Sequence, residues 1–392
     1  MDFENIKYVV VGSGFFGSVI AERLANDLGE NVIVLEERDH VGGNSFSYQN
    51  KETGIEVHKY GSHIFHTSNK VIWDYINRFS GFNTYRHKVK TLYEGRLYSM
   101  PINLNTINDY YGLNLTAAQA QSFIESEIAK EKRGPPQNLE EKAISLIGRP
   151  LYEAFVKGYT VKQWDQDPLC LPPEIISRLP VRYHDNTDYF DDPYQGIPLC
   201  GYGKLFEKIL KNPKIHLHLK TDFFAVRNLI PKDVIVIYTG AIDRFFDYKF
   251  GELSWRNVDF VEEVSDVTSY QGTTVINYAD VLKKETRTHE FKFYHPERES
   301  LHYPKTICFH ETSRSGRRGE SPYYPVRGEA DKIKLEKYQS LSLSFPNVIF
   351  GGRLGMYQYF DMHHVIGEAL GLYDKIKKGH LVSGHFAKSE NK

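Results

Sequence analysis

Short unbroken apolar runs open this chain: Tyr8-Val9-Val10-Val11, in a strand read over 7–11, and Val32-Ile33-Val34-Leu35, in NVIVL over 31–35. Runs of this length without polar alternation are the pattern of strands buried on both faces. Phe15 to Leu28, between them, reads as a helix, so the sequence predicts a strand–helix–strand opening. Val71, Ile72, Tyr75, Ile76 and Phe79 fall at helical spacing behind Thr67-Ser68, the expected cap. TLYEGRLYSM (91–100) predicts a hairpin turning at Glu94-Gly95. Thr116 and Gln119 make a capping box before AQAQSFIESEIAKE. KRGPP (132–136) reads as a loop, and Leu139, Ala143, Ile144 and Ile147 mark another amphipathic helix. Gly148-Arg149-Pro150 breaks it, with Pro150 suited to the first turn of the next helix.

From about residue 215 the pattern shortens. HLHLK and VIVIYTG predict strands, and INYAD and FKFYH predict weaker ones. Val348-Ile349-Phe350 is a last buried strand, and the chain turns helical after Asp361. Strands of the parallel type therefore lie at the start, near 234–239 and at the end, with helical and antiparallel material between. One nucleotide domain assembled from distant segments, with other domains inserted, is the expected architecture. There are no internal repeats, and the polar tail from about 379 is expected to be loose.

Composition narrows the class of protein. With 392 residues, 41% hydrophobic and 25% charged, the chain can build two or three domains with sizeable cores. A net charge of -1 offers no global field for nucleic acid or an anionic membrane, so neither is an expected partner. The three cysteines, Cys170, Cys200 and Cys308, are far apart and fit a reduced, cytoplasmic protein. MDFENIKYVV is not a signal peptide, and no 18-residue apolar run predicts a membrane span. The 27 tyrosines suit a core and surface rich in Tyr, or a site that stacks on a flat or sugar-like ligand.

GSGFFG (12–17) directly follows the first strand and opens the first helix. In that context Gly12 makes a tight turn, Gly14 lets the backbone approach a diphosphate, and Gly17 lets helix and strand pack closely. The helix N-terminus then offers free N–H groups to the phosphates. Glu36 ends the second strand, where a carboxylate accepts from ribose hydroxyls and disfavours a 2′-phosphate. A second glycine pair, Gly42-Gly43, follows in Glu37 to Asn44. It resembles the extension in FAD proteins of the glutathione-reductase and amine-oxidase type. No P-loop, HExxH or GxSxG motif occurs; His363-His364 read as incidental helix residues, and no metal is expected.

Several stretches together resemble the UDP-galactopyranose mutase family of the bacterial type. They are YGSHIFHT (60–67), LYEAFVKGYTVKQW (151–164), RLPVRY (178–183), YQGIP (194–198), YYPV (323–326) and GGRLGMYQYFDMHHVI (351–366). The likeness runs in the family's order over nearly the whole chain. It implies an α/β fold: a Rossmann-like FAD-binding domain of glutathione-reductase type, an inserted helical domain and an antiparallel β-sheet domain. The implied division is 1–80, about 195–245 and 340–380 for FAD; about 81–170 for a helical substrate and lid domain; about 171–195 and 246–339 for the sheet domain. A loose tail, 381–392, follows. The implied activity is interconversion of UDP-galactopyranose and UDP-galactofuranose, with reduced FAD as covalent catalyst through its N5. A UDP-sugar substrate, a homodimer and a role in cell-wall or capsule polysaccharide synthesis are implied as well.

The resemblance also implies residue roles. Arg178 and Arg287 match the arginines that hold the diphosphate, and His63 matches the histidine beside flavin and sugar. These three are the expected catalytic residues. Tyr189, Tyr324 and Tyr359 match tyrosines around the phosphates; Phe155, Tyr159 and Thr160 match the uridine pocket; Trp164 matches the tryptophan of a mobile loop. Cofactor contacts are implied for Gly12, Gly14, Phe16, Gly17, Glu36, Glu37, Gly43, Asn44, His63, Arg353, Tyr359, Asp361 and Met362. Two positions depart from the pattern. Asp165 stands where the family usually has Gly after KQW, and His87 stands where many members carry an Asn near the sugar. The basic segment HETSRSGRRGES (310–321) reads as a solvated loop. Two other activities remain open on the residues: a mutase acting on UDP-N-acetylgalactosamine, and an FAD oxidoreductase of amine-oxidase type. The oxidoreductase does not call for Arg178, Arg287 and the KQW loop together.

Overall fold

The apolar runs from both ends of the sequence meet in one sheet. In the computed structural model, which describes residues 2–131, 134–176 and 181–380, five parallel strands lie in the order Val348–Phe350, Ile235–Tyr238, Tyr8–Val11, Val32–Leu35, Ile215–His218. Val9, Val10, Val32 and Val34 are fully buried, as strands covered on both faces require. The helix Phe15–Asp27 and the helix Met362–Lys377 pack together over the face that carries Val10 and Val34. Phe223, Phe245, Tyr338 and Phe350 build the core on the other face. Tyr338 belongs to a helix, Glu329–Ser342, which no apolar periodicity announced: only Asp331, Tyr338 and Ser342 of its residues are buried.

A second sheet has seven strands, in the order Tyr324–Pro325, Trp255–Ser265, Thr306–Ser315, Arg287–Glu290, Val275–Tyr278, Val89–Tyr93, Arg96–Met100. All neighbours are antiparallel except Val275–Tyr278 with Val89–Tyr93. The expected hairpin turns at Glu94 (φ 46°) and Gly95 (φ 77°), and it pairs into this sheet although it falls within the helical segment 81–170 of the expected division.

Three local expectations need correction. His310–Ser315 is strand rather than solvated loop: Trp255–Ser265 pairs along its whole length, and Arg314 is neutralised by Asp259 and Glu320, each 2.7 Å away. FKFYH is not a strand. The ladder stops at Glu290, and Phe291–Tyr294 turns in a 3-10 helix that buries Phe291 and Tyr294 completely. The helix Lys70–Asn77 is capped by Asn69, whose side chain accepts from Val71 N and Ile72 N, because Thr67 is already committed to the strand Phe65–Thr67.

The helical region holds Leu104–Tyr111, Ala117–Ala129 and Leu139–Leu151. Gly148, at φ 75° and ψ 162°, interrupts the last of these as the sequence predicts. The chain then winds through a π-helical turn, Tyr152–Lys157, into the helix Gly158–Trp164. The expected loose tail, 381–392, lies outside the described residues, and so does Arg178. Among the described residues no helix is long and apolar enough to cross a membrane.

Candidate active site

A single cavity of about 1420 Å³ runs between the two sheets and the helical region. Every site residue expected from the sequence lines it, apart from Arg178, which lies outside the described residues.

At one end the glycine turns form a cradle. A Cβ on Gly17 would stand 1.9 Å from the Gly12 carbonyl oxygen, so the helix can approach its strand only without a side chain there. Gly14 has nothing within 4 Å of its Cβ position; that face opens into the cavity. The second glycine pair closes over the first: Gly42 N donates to Ser13 O at 2.9 Å, and Gly43 (φ 56°) approaches Gly14. Phe16 is buried and packs against Gly351, where a Cβ would meet its ring at 2.3 Å. Glu36 Oε2 accepts from Ser13 N (2.9 Å) and Ser13 Oγ (2.6 Å), and Oε1 accepts from Arg38 N (3.0 Å). The remaining lone pairs of this carboxylate are available to hydroxyls in the cavity. Glu37 is exposed and engaged by Arg244 Nη1 at 3.0 Å. Asn44 Oδ1 accepts from Arg38 Nη2 at 2.9 Å. Backbone amides at a helix N-terminus and a facing glycine turn supply donors for a dinucleotide diphosphate, and the carboxylate at the second strand supplies an acceptor for its ribose hydroxyls.

In the middle, His63 Nδ1 donates to Gly61 O at 2.8 Å, which leaves Nε2 as an acceptor. Burial pushes its pKa down to about 4, the Gly61 hydrogen bond opposing and Arg353 adding to the shift. Arg353 faces the hydroxyls of Tyr323, Tyr324 and Tyr359 rather than a carboxylate among the described residues. It is a half-buried cation poised for an anionic ligand. Tyr324 and Tyr359 stack at 5.7 Å. Asp361 stands at the N-cap position of the helix Met362–Lys377, with its carboxylate 3.5 Å from His364 Nδ1. The His363 ring lies edge-on to His66 at 4.9 Å, and with Asp361 these residues offer ligand atoms within 4.8 Å of one another.

At the other end the helix Gly158–Trp164 sends Tyr159, Thr160, Gln163 and Trp164 to the cavity, with Phe155 one turn before Tyr159. Arg287 reaches in from the facing sheet. Its Nη2 donates to Tyr159 Oη at 2.7 Å, and its Nε lies 3.0 Å from Glu311 Oε1. Glu311 Oε2 accepts from His289 Nε2 at 3.0 Å. Burial would raise the Glu311 pKa, but Arg287, His289 and Thr286 hold it down to about 2. Arg287 therefore keeps a paired carboxylate behind it while its charge faces the cavity. Tyr189 and Tyr359, each 41% exposed, turn their rings into the same space.

The two departures have structural answers. Asp165 adopts φ 54°, the conformation a glycine would hold, and its carboxylate lies 3.6 Å from Arg256 Nη1. His87 is buried, with Nδ1 3.0 Å from Tyr85 Oη and its ring stacked on Phe190. Burial holds its pKa down to about 3, with Arg287 adding to the shift.

His63 and His87 together predict acid sensitivity. Their folded pKa values lie below the unfolded value, so protons bind the unfolded chain preferentially as pH falls from about 6.5 to 4. The two cost about 4 kcal/mol of stability at about pH 5, or about 5 °C in melting temperature for a chain of this size. Thermal melts at pH 7 and pH 5 read this directly. Equal melting temperatures would mean that these imidazoles are not held neutral.

Sequence reasoning missed Glu311, His289 and Ser62. Ser62 Oγ bonds to both His289 Nδ1 and Tyr294 Oη and ties the loop before His63 to the Arg287–Glu311 pair. The available signal was register: Arg287 stands opposite Glu311 across adjacent antiparallel strands, and His289 lies two residues on, on the same face.

Comparison with known proteins gives a consistent picture. The family model for UDP-galactopyranose mutase matches residues 154–359, and a model for an NAD(P)-binding Rossmann-like domain matches 10–79. A probable UDP-galactopyranose mutase of Klebsiella pneumoniae is 39% identical, covering 95% of this chain and 94% of that protein. A dTDP-fucopyranose mutase of Escherichia coli is 38% identical, covering 93% of this chain and 96% of that protein. The solved structure of a reduced UDP-galactopyranose mutase superimposes with a TM-score of 0.74 at 16% identity, over 95% of this chain and 94% of that one. It supports the fold.

Proposed function

The chain belongs to the UDP-galactopyranose mutase family, and we propose that it interconverts UDP-galactopyranose and UDP-galactofuranose with a reduced FAD bound in the glycine cradle. The observation that carries this reading is the continuity of the cavity: Gly14 and Glu36 at one end and Arg287 and Tyr159 at the other line the same space. A dinucleotide and a nucleotide sugar can meet there without either leaving the protein.

When bound, the reduced flavin supplies a nucleophile at N5 for the anomeric carbon. The other contributions come from this chain. Arg287 stabilises the diphosphate as it takes up the electrons of the broken C–O bond, and its backing by Glu311 keeps the guanidinium oriented. Arg178 is assigned the same task through its motif. Tyr189, Tyr324 and Tyr359 offer hydroxyl donors to the same oxygens. Arg353 favours the anionic form of the reduced flavin, and His63 holds an unprotonated Nε2 towards the cavity. Phe155, Tyr159 and Trp164 present aromatic surface to a pyrimidine base. Trp164→Ala is expected to raise the dissociation constant for UDP about tenfold, the worth of one aromatic contact. Calorimetric titration with UDP checks this, and an unchanged affinity removes Trp164 from the site.

The three free cysteines suit the cytoplasm, where thiols stay reduced, and a homodimer is in keeping with the family resemblance. The deciding experiment is turnover of UDP-galactofuranose with and without dithionite, the flavin spectrum recorded alongside. Formation of UDP-galactopyranose only under reduction supports the proposal; a yellow protein that converts nothing overturns it. The near-equal identity of the dTDP-fucopyranose mutase makes a dTDP-linked 6-deoxyhexose the second reading, tested by the same assay on that sugar.

A further inference from the structure

We propose that Lys162 is the positioning residue that locks the two halves of the nucleotide clamp, the helix Gly158–Trp164 and the strand Arg287–Glu290, into one geometry. The inference rests on reading the Arg287–Tyr159 end of the cavity as the nucleotide-diphosphate site.

Lys162 shares its helix with Tyr159, Thr160 and Trp164, but its side chain turns away from the cavity. Its Nζ donates to four main-chain carbonyls: Tyr278 O at 2.7 Å, Asp280 O at 2.8 Å, Glu285 O at 3.0 Å and Lys283 O at 3.1 Å. These oxygens come from the end of the strand Val275–Tyr278 and from the connection that leads to Arg287. An ammonium has three protons and no lone pair, so four converging carbonyls share it fully. Without a cation their dipoles would point at one another. The connection is therefore folded around the ammonium of a neighbouring helix.

The approach of the helix is equally specific. A Cβ on Gly158 would stand 2.1 Å from Ala279 O, so only glycine allows the helix to reach this connection. At its far end the same helix is held by Gln163 O, which accepts from Arg256 Nε (2.9 Å) and Ser313 Oγ (2.7 Å). Those bonds fix the helix to the sheet but not to the 279–286 connection. Lys162 does that, and the circuit closes two residues past Glu285, where Arg287 Nη2 donates to Tyr159 Oη at 2.7 Å. Tyr159 lies three residues before Lys162. Helix, ammonium, connection, guanidinium and phenol form one ring of contacts, and the clamp opens if the ammonium link is cut.

Lys162→Met in the flavin-bound protein is expected to raise the dissociation constant for UDP about tenfold, with cofactor content and flavin spectrum unchanged. In a double-mutant cycle with Tyr159→Phe, the double variant should bind UDP within about twofold of the weaker single variant, because both changes cut the same ring. Propylammonium should restore UDP binding to Lys162→Ala, whose missing atoms it supplies. Binding by Lys162→Met within about twofold of wild type, or multiplicative effects in the cycle, would overturn the proposal. If Lys162→Met does not accumulate with flavin, Lys162→Gln is judged by the same limits. Should wild type bind neither UDP nor dTDP, the nucleotide reading fails, and Lys162 is judged by amide exchange: faster exchange across 279–286 in the variant supports its role, and unchanged exchange overturns it.

Discussion

Arg287→Ala is expected to reduce turnover of UDP-galactofuranose about a hundredfold to a thousandfold while leaving flavin bound, since removal of one preorganised charge from a developing anion costs about 10²–10³. The cofactor cradle stands at the other end of the cavity and makes no use of this side chain. A second consequence separates this residue from an ordinary surface arginine. Glu311 is 2% exposed, and Arg287 is the cation that holds its pKa near 2. Truncating Arg287 leaves that buried carboxylate with His289 and Thr286 as its remaining partners, a loss of about 3–5 kcal/mol for a broken buried pair. Arg287→Ala with Glu311→Gln should regain most of that stability and none of the turnover. Near-normal turnover in Arg287→Ala, or loss of its flavin, would remove the role assigned here; parallel recovery of stability and activity would make the pair structural.

Gly17→Ala and Gly14→Ala should fail in different ways, although both alter the same loop. A methyl at Gly17 meets the Gly12 carbonyl at 1.9 Å and forces the first helix off its strand. Overpacking of that severity costs more than the usual 1–3 kcal/mol of about one extra methylene in a core, and little folded protein is expected. A methyl at Gly14 meets no protein atom within 4 Å. It projects into the cavity, so the protein should fold, melt cooperatively and come off the column colourless. Circular dichroism and the flavin absorbance distinguish the two. A yellow Gly14→Ala would mean that the diphosphate does not rest on this turn.

The parts of the fold legible from the sequence were those in which local chemistry leaves little choice. Unbroken apolar runs named four of the five parallel strands, and HLHLK named the fifth, which the structure places at the sheet edge. Glu94-Gly95 fixed the hairpin because both residues take positive φ. The helix Glu329–Ser342 stayed hidden because its buried residues include an aspartate and a serine. β-propensity alone would have continued the ladder through FKFYH, but it ends at Glu290, where Phe291–Tyr294 turns inward and buries Phe291 and Tyr294. In the site, the glycine turns and Glu36 follow from physical requirements, whereas the tyrosines, Trp164 and Arg353 were identified by family likeness. Glu311 and Lys162 were accessible to neither route: one depends on strand register, the other on carbonyls more than a hundred residues away.

The order of strands in the parallel sheet also constrains when the protein can acquire its cofactor. The segment with the glycine turn is synthesised first, yet its strand Tyr8–Val11 pairs with Ile235–Tyr238, and that strand in turn pairs with Val348–Phe350. Phe16 rests against Gly351, from the same late segment. On the ribosome the cradle waits with an open sheet edge until almost the whole polypeptide has emerged. Sequence-distant pairing of this kind folds slowly and exposes unpaired strands in the meantime. Flavin capture is then a final, post-translational event, because the glycine turn is braced only after Gly351 and the strand before it have joined the sheet.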